Sequence, residues 1–197
     1  LLVGAGTALL SLSLGGLLGM LAGYFRTLDT VLMRVMDGLM AIPAVLLAIA
    51  LVAALGASVA TVVVAIAIPE VPRVTRLVRS LVLSLREEPF VEAARALATP
   101  TPQILWRHIL PNVLAPVIVL ATMTMASAIM TEAALSFLGL GVQEPIASWG
   151  KMIQLGQGYF WDAPWLCLIP GLAIATTVFA FNLFGDGLRD ALDPRLK

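Results

Sequence analysis

The chain has 197 residues, 60% hydrophobic and 12% charged, with twelve basic residues balancing twelve acidic ones. A soluble domain carries about 45–50% apolar and roughly 25% charged residues. Too few charges are therefore present to dress a water-soluble globule, which excludes a cytosolic enzyme, a nucleic-acid binder and a disordered tail, and the surface must face lipid. The length suffices for several membrane spans but not for spans plus a second folded domain.

Residues 1–23 carry no charge and form the first predicted span. The chain opens on Leu1 with neither the basic region nor the small-residue cleavage site of a signal peptide, so it reads as a trimmed start leading into that span. Gly4, Gly6, Gly15, Gly16, Gly19 and Gly23 suit close packing between membrane helices. The apolar run from Gly38 to Pro69 is too long for one span. Gly56-Ala57-Ser58 near its middle suits a tight turn, giving spans over 38–55 and 59–80. The third span continues as an amphipathic helix, with Val74, Leu77, Val78, Leu81, Val82 and Leu85 on one face and Arg73, Arg76, Arg79 and Arg86 on the other.

A fourth span covers 112–129, entered through Pro111 and containing Pro116, and a fifth covers 165–184 around Pro170. Such prolines survive in membrane helices because neighbouring groups satisfy the freed carbonyls. Asn182 can hydrogen-bond between helices, and Cys167 reads as a small buried hydrophobe. Because Cys167 and His108 are the only residues of their types, an internal disulfide and a Cys/His metal site are excluded. Arg26 and Arg34, then Arg73, Arg76, Arg79, Arg86, Arg95 and Arg107, then Arg189, Arg195 and Lys197 fall on one side of a five-span path, leaving only Lys151 on the other. The positive-inside rule makes the basic side cytoplasmic, so the chain begins outside and ends inside. Continuous apolar runs exclude a β-barrel. The expected fold is an all-α polytopic membrane protein, one domain over 1–197 with five transmembrane helices and no internal repeat.

The cytoplasmic loop over 86–111 is the most specific stretch. Pro89 fits a first helical turn, and Glu87, Glu88 and Glu92 favour the positive end of the helix dipole. A short helix over Phe90–Ala98 is expected to break at Thr99-Pro100-Thr101-Pro102. Thr101 then caps a second helix that stops at Pro111. The residues alone leave open an ordinary connector and a docking surface for a soluble partner.

Glu92-Ala93-Ala94, followed by Ile109-Leu110-Pro111, resembles the EAA motif of ABC importer permeases, whose pattern is E-A-A, then a glycine, then I-x-L-P. The sequence departs at Ala98, where that family has glycine; alanine disfavours the left-handed turn by about 1–2 kcal/mol, and Pro100 and Pro102 can supply the break instead. Leu135–Gln143, Ser148-Trp149-Gly150 and the tail Asn182–Arg195 resemble the C-type permeases of dipeptide, oligopeptide and nickel importers, so the likeness covers nearly the whole chain. Full-length members have one more N-terminal span and an extracytoplasmic segment, consistent with a trimmed start.

The resemblance implies a type I permease core in a bacterial or archaeal inner membrane. It implies half of a translocation path for peptides or related small solutes. It also implies a second permease subunit, two cytoplasmic P-loop ATPases and an extracytoplasmic solute-binding protein. ATP and Mg belong to the partner subunits and no cofactor to this chain, where Gly150-Lys151 lacks the pattern of a P-loop. No catalytic residue and no metal ligand is expected. Moving a gate from 1:99 to 99:1 takes about 5.5 kcal/mol of differential binding, so that work must come from partners.

The coupling residues so implied are Glu92 as acceptor to the ATPase, Ala93 and Ala94 as small residues allowing close approach, Ala98 at the motif's glycine position, and Ile109, Leu110 and Pro111, the last two fixing the return into span four. Arg95 and Arg107 are read as solvated or lipid-facing. Glu132, Ser136, Gly139 and Gly141 are candidates for a gate or translocation path. For Glu132 the competing role is to cap a short helix over Glu132–Leu138. The outer segment over 130–164 carries Trp149, Tyr159, Phe160 and Trp161, an interfacial aromatic belt continued by Trp165, and can touch the solute-binding protein. Asp186, Asp190, Asp193, Arg189 and Arg195 read as a solvated tail. A membrane protease is set aside because no catalytic partner set is present. An ion-coupled secondary transporter is the alternative; it would want paired ionisable residues at the midplane and an inverted repeat, and neither is visible in the sequence.

Overall fold

The structure, a computed structural model, describes residues 1–192, and these form helices and turns with no strand. The first helix, α1 (Leu2–Tyr24), ends where Phe25 turns extended and launches α2 (Arg26–Met40). Pro43, which cannot donate to a preceding turn, separates α2 from α3 (Ala44–Leu55) at a bend of 86°. The helix expected over 38–55 is thus two segments, with Gly38 belonging to α2.

Gly56, at φ 85°, makes the expected turn, and the Ser58 hydroxyl caps α4 (Val59–Leu85) by accepting the Thr61 N–H at 3.1 Å. Two short helices follow, α5 (Pro89–Ala96) and α6 (Thr101–Ile104), then a π turn over Leu105–Ile109 and α7 (Leu110–Phe137). A third short helix, α8 (Trp149–Gly156), is capped by Ser148 and leads through a 3-10 turn to α9 (Trp165–Leu192).

Three sequence expectations change here. The helix begun at Thr101 does not stop at Pro111, because the π turn shifts the hydrogen-bond register there and the Leu110 N–H bonds back to the Leu105 carbonyl. Pro111 then sits in the first turn of α7, and the Asn112 side chain satisfies the His108 carbonyl at 2.7 Å. Thr101 makes no side-chain cap; Pro100 occupies the cap position. Glu132–Leu138 is not a separate helix but the last turns of α7 and its cap.

Packing is built around α1 and α4. Gly15, Gly19 and Gly23 form one stripe of α1, and a Cβ at Gly19 would stand 2.7 Å from both the Thr75 carbonyl oxygen and the Val78 Cβ. The corresponding neighbours are Val74 at Gly15 and Val82 at Gly23. With no hydrophobic drive between helices in lipid, such close backbone approach supplies the association. Two apolar clusters cap the ends of this pair. One joins Val3, Ala48, Val52, Val62, Ile66, Ala128 and Leu135; the other joins Met20, Val74, Val78, Val82, Val91, Ile104, Ile109 and Val113.

By length and composition, α1, the continuous stretch Thr101–Phe137 and α9 can each cross a membrane, and α2 with α3 passes together as a bent pair. The 27 residues of α4 span about 40 Å, although they carry Glu70, Arg73, Arg76 and Arg79. Only Pro170 and Gly185 of α9 are buried, and Asn182 is exposed without a hydrogen bond among the described residues. Cys167 is half-buried, its thiol 3.7 Å from the Ile153 carbonyl oxygen. The tail residues Asp193, Arg195 and Lys197 lie outside the described residues.

Candidate functional site

The loop singled out from the sequence is packed against the bundle and has distinct inner and outer faces. Glu88 is extended and Pro89 opens α5, as its fixed φ favours. Val91 is fully buried and Ala94 nearly so, both packed into the cluster of Val74, Val78, Val82, Ile104 and Ile109. Glu92, Ala93, Ala96 and Leu97 point outward, with Leu97 81% exposed. Glu92 makes no ion pair among the described residues.

The motif therefore divides. Glu92 and Ala93 lie on the outer face, whereas Ala94 is small because its helix lies against the bundle. Ile109 is fully buried beside it, Leu110 is half-buried and Pro111 is exposed. Phe90 and Trp106, which the sequence analysis did not select, are also exposed, at 41% and 63%.

The bend falls on Ala98 itself. Its φ is 54°, and the Thr99 N–H bonds to the Ala94 carbonyl at 3.1 Å while the Ala98 N–H bonds to the Arg95 carbonyl at 2.9 Å. That is a Schellman closure with alanine where glycine is preferred. The expectation that Pro100 and Pro102 would replace the bend is corrected: they follow it. Arg95 is not simply solvated, since its guanidinium sits 5.4 Å from the centre of the Tyr24 ring.

Beside this loop, α4 and the turn that follows it are tied to α1 and α2 by charges whose partners the helical face pattern could not reveal. Arg86 donates to the Gly23 carbonyl at 3.1 Å, closing the end of α1. Arg79 grips Asp29 with two nitrogens, the Nη2–Oδ2 distance being 2.6 Å, and Arg76 donates to Asp37 at 2.6 Å. Both acids belong to α2. The Arg79 hydrogen bond holds the Asp29 carboxyl below its ordinary range, against an opposing effect of burial.

At the opposite end, Ser136 donates to Glu132 at 2.6 Å one turn away on α7. The helix closes by a second Schellman motif, with Gly139 at φ 82° and the Leu140 N–H on the Leu135 carbonyl at 2.8 Å. Gly141 is pressed against Ser136 so closely that no Cβ could fit, and Gly150 of α8 meets the Ala133 carbonyl in the same way. Glu132 lines a cavity of about 360 Å³ with Val3, Val59, Ile129, Val142 and Trp149. Trp161, 94% exposed, stands with Tyr159, Phe160 and Trp165 in an exposed aromatic group.

One ionisable group escaped the sequence reading, which found no paired charges along the spans. Glu70 of α4, its side chain only 14% exposed, lies 3.5 Å from Arg73 and accepts from Ser127 of α7 at 3.4 Å.

The comparisons with known proteins match this architecture. A Brucella suis protein named for peptide transport system permease function is 50% identical over 195 residues, covering 99% of this chain and 66% of its own length. A dipeptide transport system permease protein of Alkalihalophilus pseudofirmus is 49% identical, covering 95% of this chain and 62% of that protein. A glutathione transport system permease protein of Pectobacterium atrosepticum is 46% identical, covering all of this chain and 66% of that protein. The chain thus spans just under two thirds of the length of these relatives. The inward-facing methionine ABC transporter MetNI contains a chain of the same fold, with a TM-score of 0.70 at 18% identity over 97% of this chain and 93% of that one. The family described as binding-protein-dependent transport system inner membrane component matches residues 15–197, and the chain, a multi-pass helical membrane protein, belongs to that family.

Proposed function

We propose that this chain forms half of the translocation path of an ATP-driven importer of peptides or related small solutes, and that α5 is where a cytoplasmic P-loop ATPase docks. The observation that carries the reading is the two-faced α5: Val91 and Ala94 anchor it in the bundle, while Glu92, Ala93 and Leu97 are presented outward with the carboxylate unpaired among the described residues. A helix so anchored transmits a push to α4 and α7 instead of yielding to it. Glu92 acts as acceptor to a donor of the ATPase, Ala93 permits close approach, and Leu97 fills an apolar recess of the partner. In this reading the chain crosses the membrane five times with its C-terminus in the cytoplasm. It pairs with a second permease, receives solute from an extracytoplasmic binding protein, and leaves ATP and Mg to the ATPases.

The deciding experiment is a mild-detergent pull-down of the tagged full-length protein from native membranes, with mass spectrometry and ATPase assays on wild type and Glu92→Ala. A second permease and P-loop ATPases should accompany the wild type. The variant should lose ATPase retention about tenfold, equivalent to about 1.4 kcal/mol. A folded wild-type chain isolated without any ATPase would defeat the reading and bring ion-coupled transport forward.

A further inference from the structure

We infer that Glu70, Arg73 and Ser127 form a charged station inside the solute path, one that receives the ammonium and carboxylate groups of a zwitterionic solute in transit. The inference rests on the transport reading and adds a place and a chemistry to it.

Glu70 stands 11 residues from the start of α4 and Ser127 stands 10 residues from the end of α7. At 1.5 Å per residue they lie about 15–17 Å from the start of α4 and from the end of α7, and Ser127 is well inside Thr101–Phe137, a stretch long and apolar enough to cross a membrane. Arg73, counted from the sequence with the cytoplasmic basic residues, is thereby drawn into the membrane layer with Glu70, where a carboxylate and a guanidinium are costly against lipid tails. Yet the Arg73 side chain is 60% exposed on the isolated chain. That flank of α4 must therefore face water or polar groups once the protein is embedded.

The bonding around these groups is incomplete. The 3.5 Å approach of Arg73 to Glu70 lacks hydrogen-bond geometry, and the buried Oε2 of Glu70 has no hydrogen-bond donor. The hydroxyl of Thr124, one turn below Ser127 on α7, is likewise buried and unpaired. Buried polar atoms left without partners are costly. A carboxylate with one open oxygen, a half-free guanidinium and nearby hydroxyls make a set that an ammonium and a carboxylate can complete.

Helical register puts Leu77 on the same face as Glu70, and Pro116, Leu120 and Met123 on the same face as Ser127. Those four residues line an open groove of about 720 Å³ between α4, α7 and the end of α9. The charged trio thus stands along the same α4–α7 seam as that groove. A solute ammonium would bind Glu70 and Ser127, freeing Arg73 to take the carboxylate.

The test uses the assembled complex with Cys167→Ala and Ser127→Cys, probed by cationic and anionic methanethiosulfonate reagents, with and without vanadate trapping. The thiol introduced at position 127 should react in at least one nucleotide state. Adding Arg73→Gln leaves Glu70 alone and should favour the cationic reagent about tenfold, while adding Glu70→Gln leaves Arg73 alone and should favour the anionic one by a similar factor. With both charges present, an excess of a dipeptide should slow the thiol's reaction about tenfold; a purely structural ion pair would show the charge reversal without that protection, and the absence of protection overturns the station. An assembled, ATPase-bound complex in which the introduced thiol stays inert, or reacts without charge preference in either variant, overturns the station and leaves the importer reading standing. A preparation with no ATPase overturns both.

Discussion

Ala98 is the residue at which the chain turns out of α5, in a conformation that favours glycine. Its left-handed φ of 54° closes α5 through the Thr99 and Ala98 amides, and alanine is strained there by about 1–2 kcal/mol. Ala98→Gly, after allowing for glycine's greater backbone entropy in the unfolded chain, is expected to stabilise the protein by about 1 kcal/mol. That should register as a rise in Tm of about 2–4 °C in detergent. A fall in Tm would mean that the left-handed bend is not the resting conformation. Motif order and the alanine substitution were legible in the sequence. Which residue carries the bend was not, because Pro100 and Pro102 offered an equally good local stop and only the amide partners distinguish the two.

At the scale of elements, two joints hold the bundle. The first is the stripe of Gly15, Gly19 and Gly23 against Val74, Val78 and Val82. Gly19→Ile should force α1 off α4 and cost about 1–3 kcal/mol, as overpacking does, whereas the same change at Gly16, which faces open space, should cost far less in thermal unfolding. The glycines were countable in the sequence, but the choice of stripe required the partner helix.

The second joint is the clamp from α4 to α2 through Arg79–Asp29 and Arg76–Asp37. Because the Asp29 carboxyl titrates below its ordinary 3.8, its contribution is fully present above that value and is lost as pH falls through the lower folded-state value. Hydrogen-exchange protection of α2 should be flat from neutral pH down to mildly acidic conditions and drop only in strong acid. Asp29→Asn should remove the difference, exposing α2 at all pH values. The arginine face on α4 was readable by helical period, yet its engagement was not, since Asp29 and Asp37 lie on a different helix.

For the whole molecule, the proposed five-pass path makes a simple prediction about sides. In intact cells of the Cys167→Ala background, Lys151→Cys should be labelled by an impermeant thiol reagent, and Arg95→Cys only after the membrane is opened. Reversal of that pattern would invert the topology and remove α5 from the cytoplasm. The sequence by itself determined the membrane class, the all-helical fold and the family, because apolar runs, helical period and motif spacing are properties of contiguous residues. Tertiary structure alone decided that Ala94 faces inward, that the helix from Thr101 passes through Pro111 on a π turn, and that Glu70 meets Ser127. The last of these joins positions 57 residues apart. Such pairings depend on how helices turn toward one another, and one helix's sequence does not encode its rotation against a neighbour.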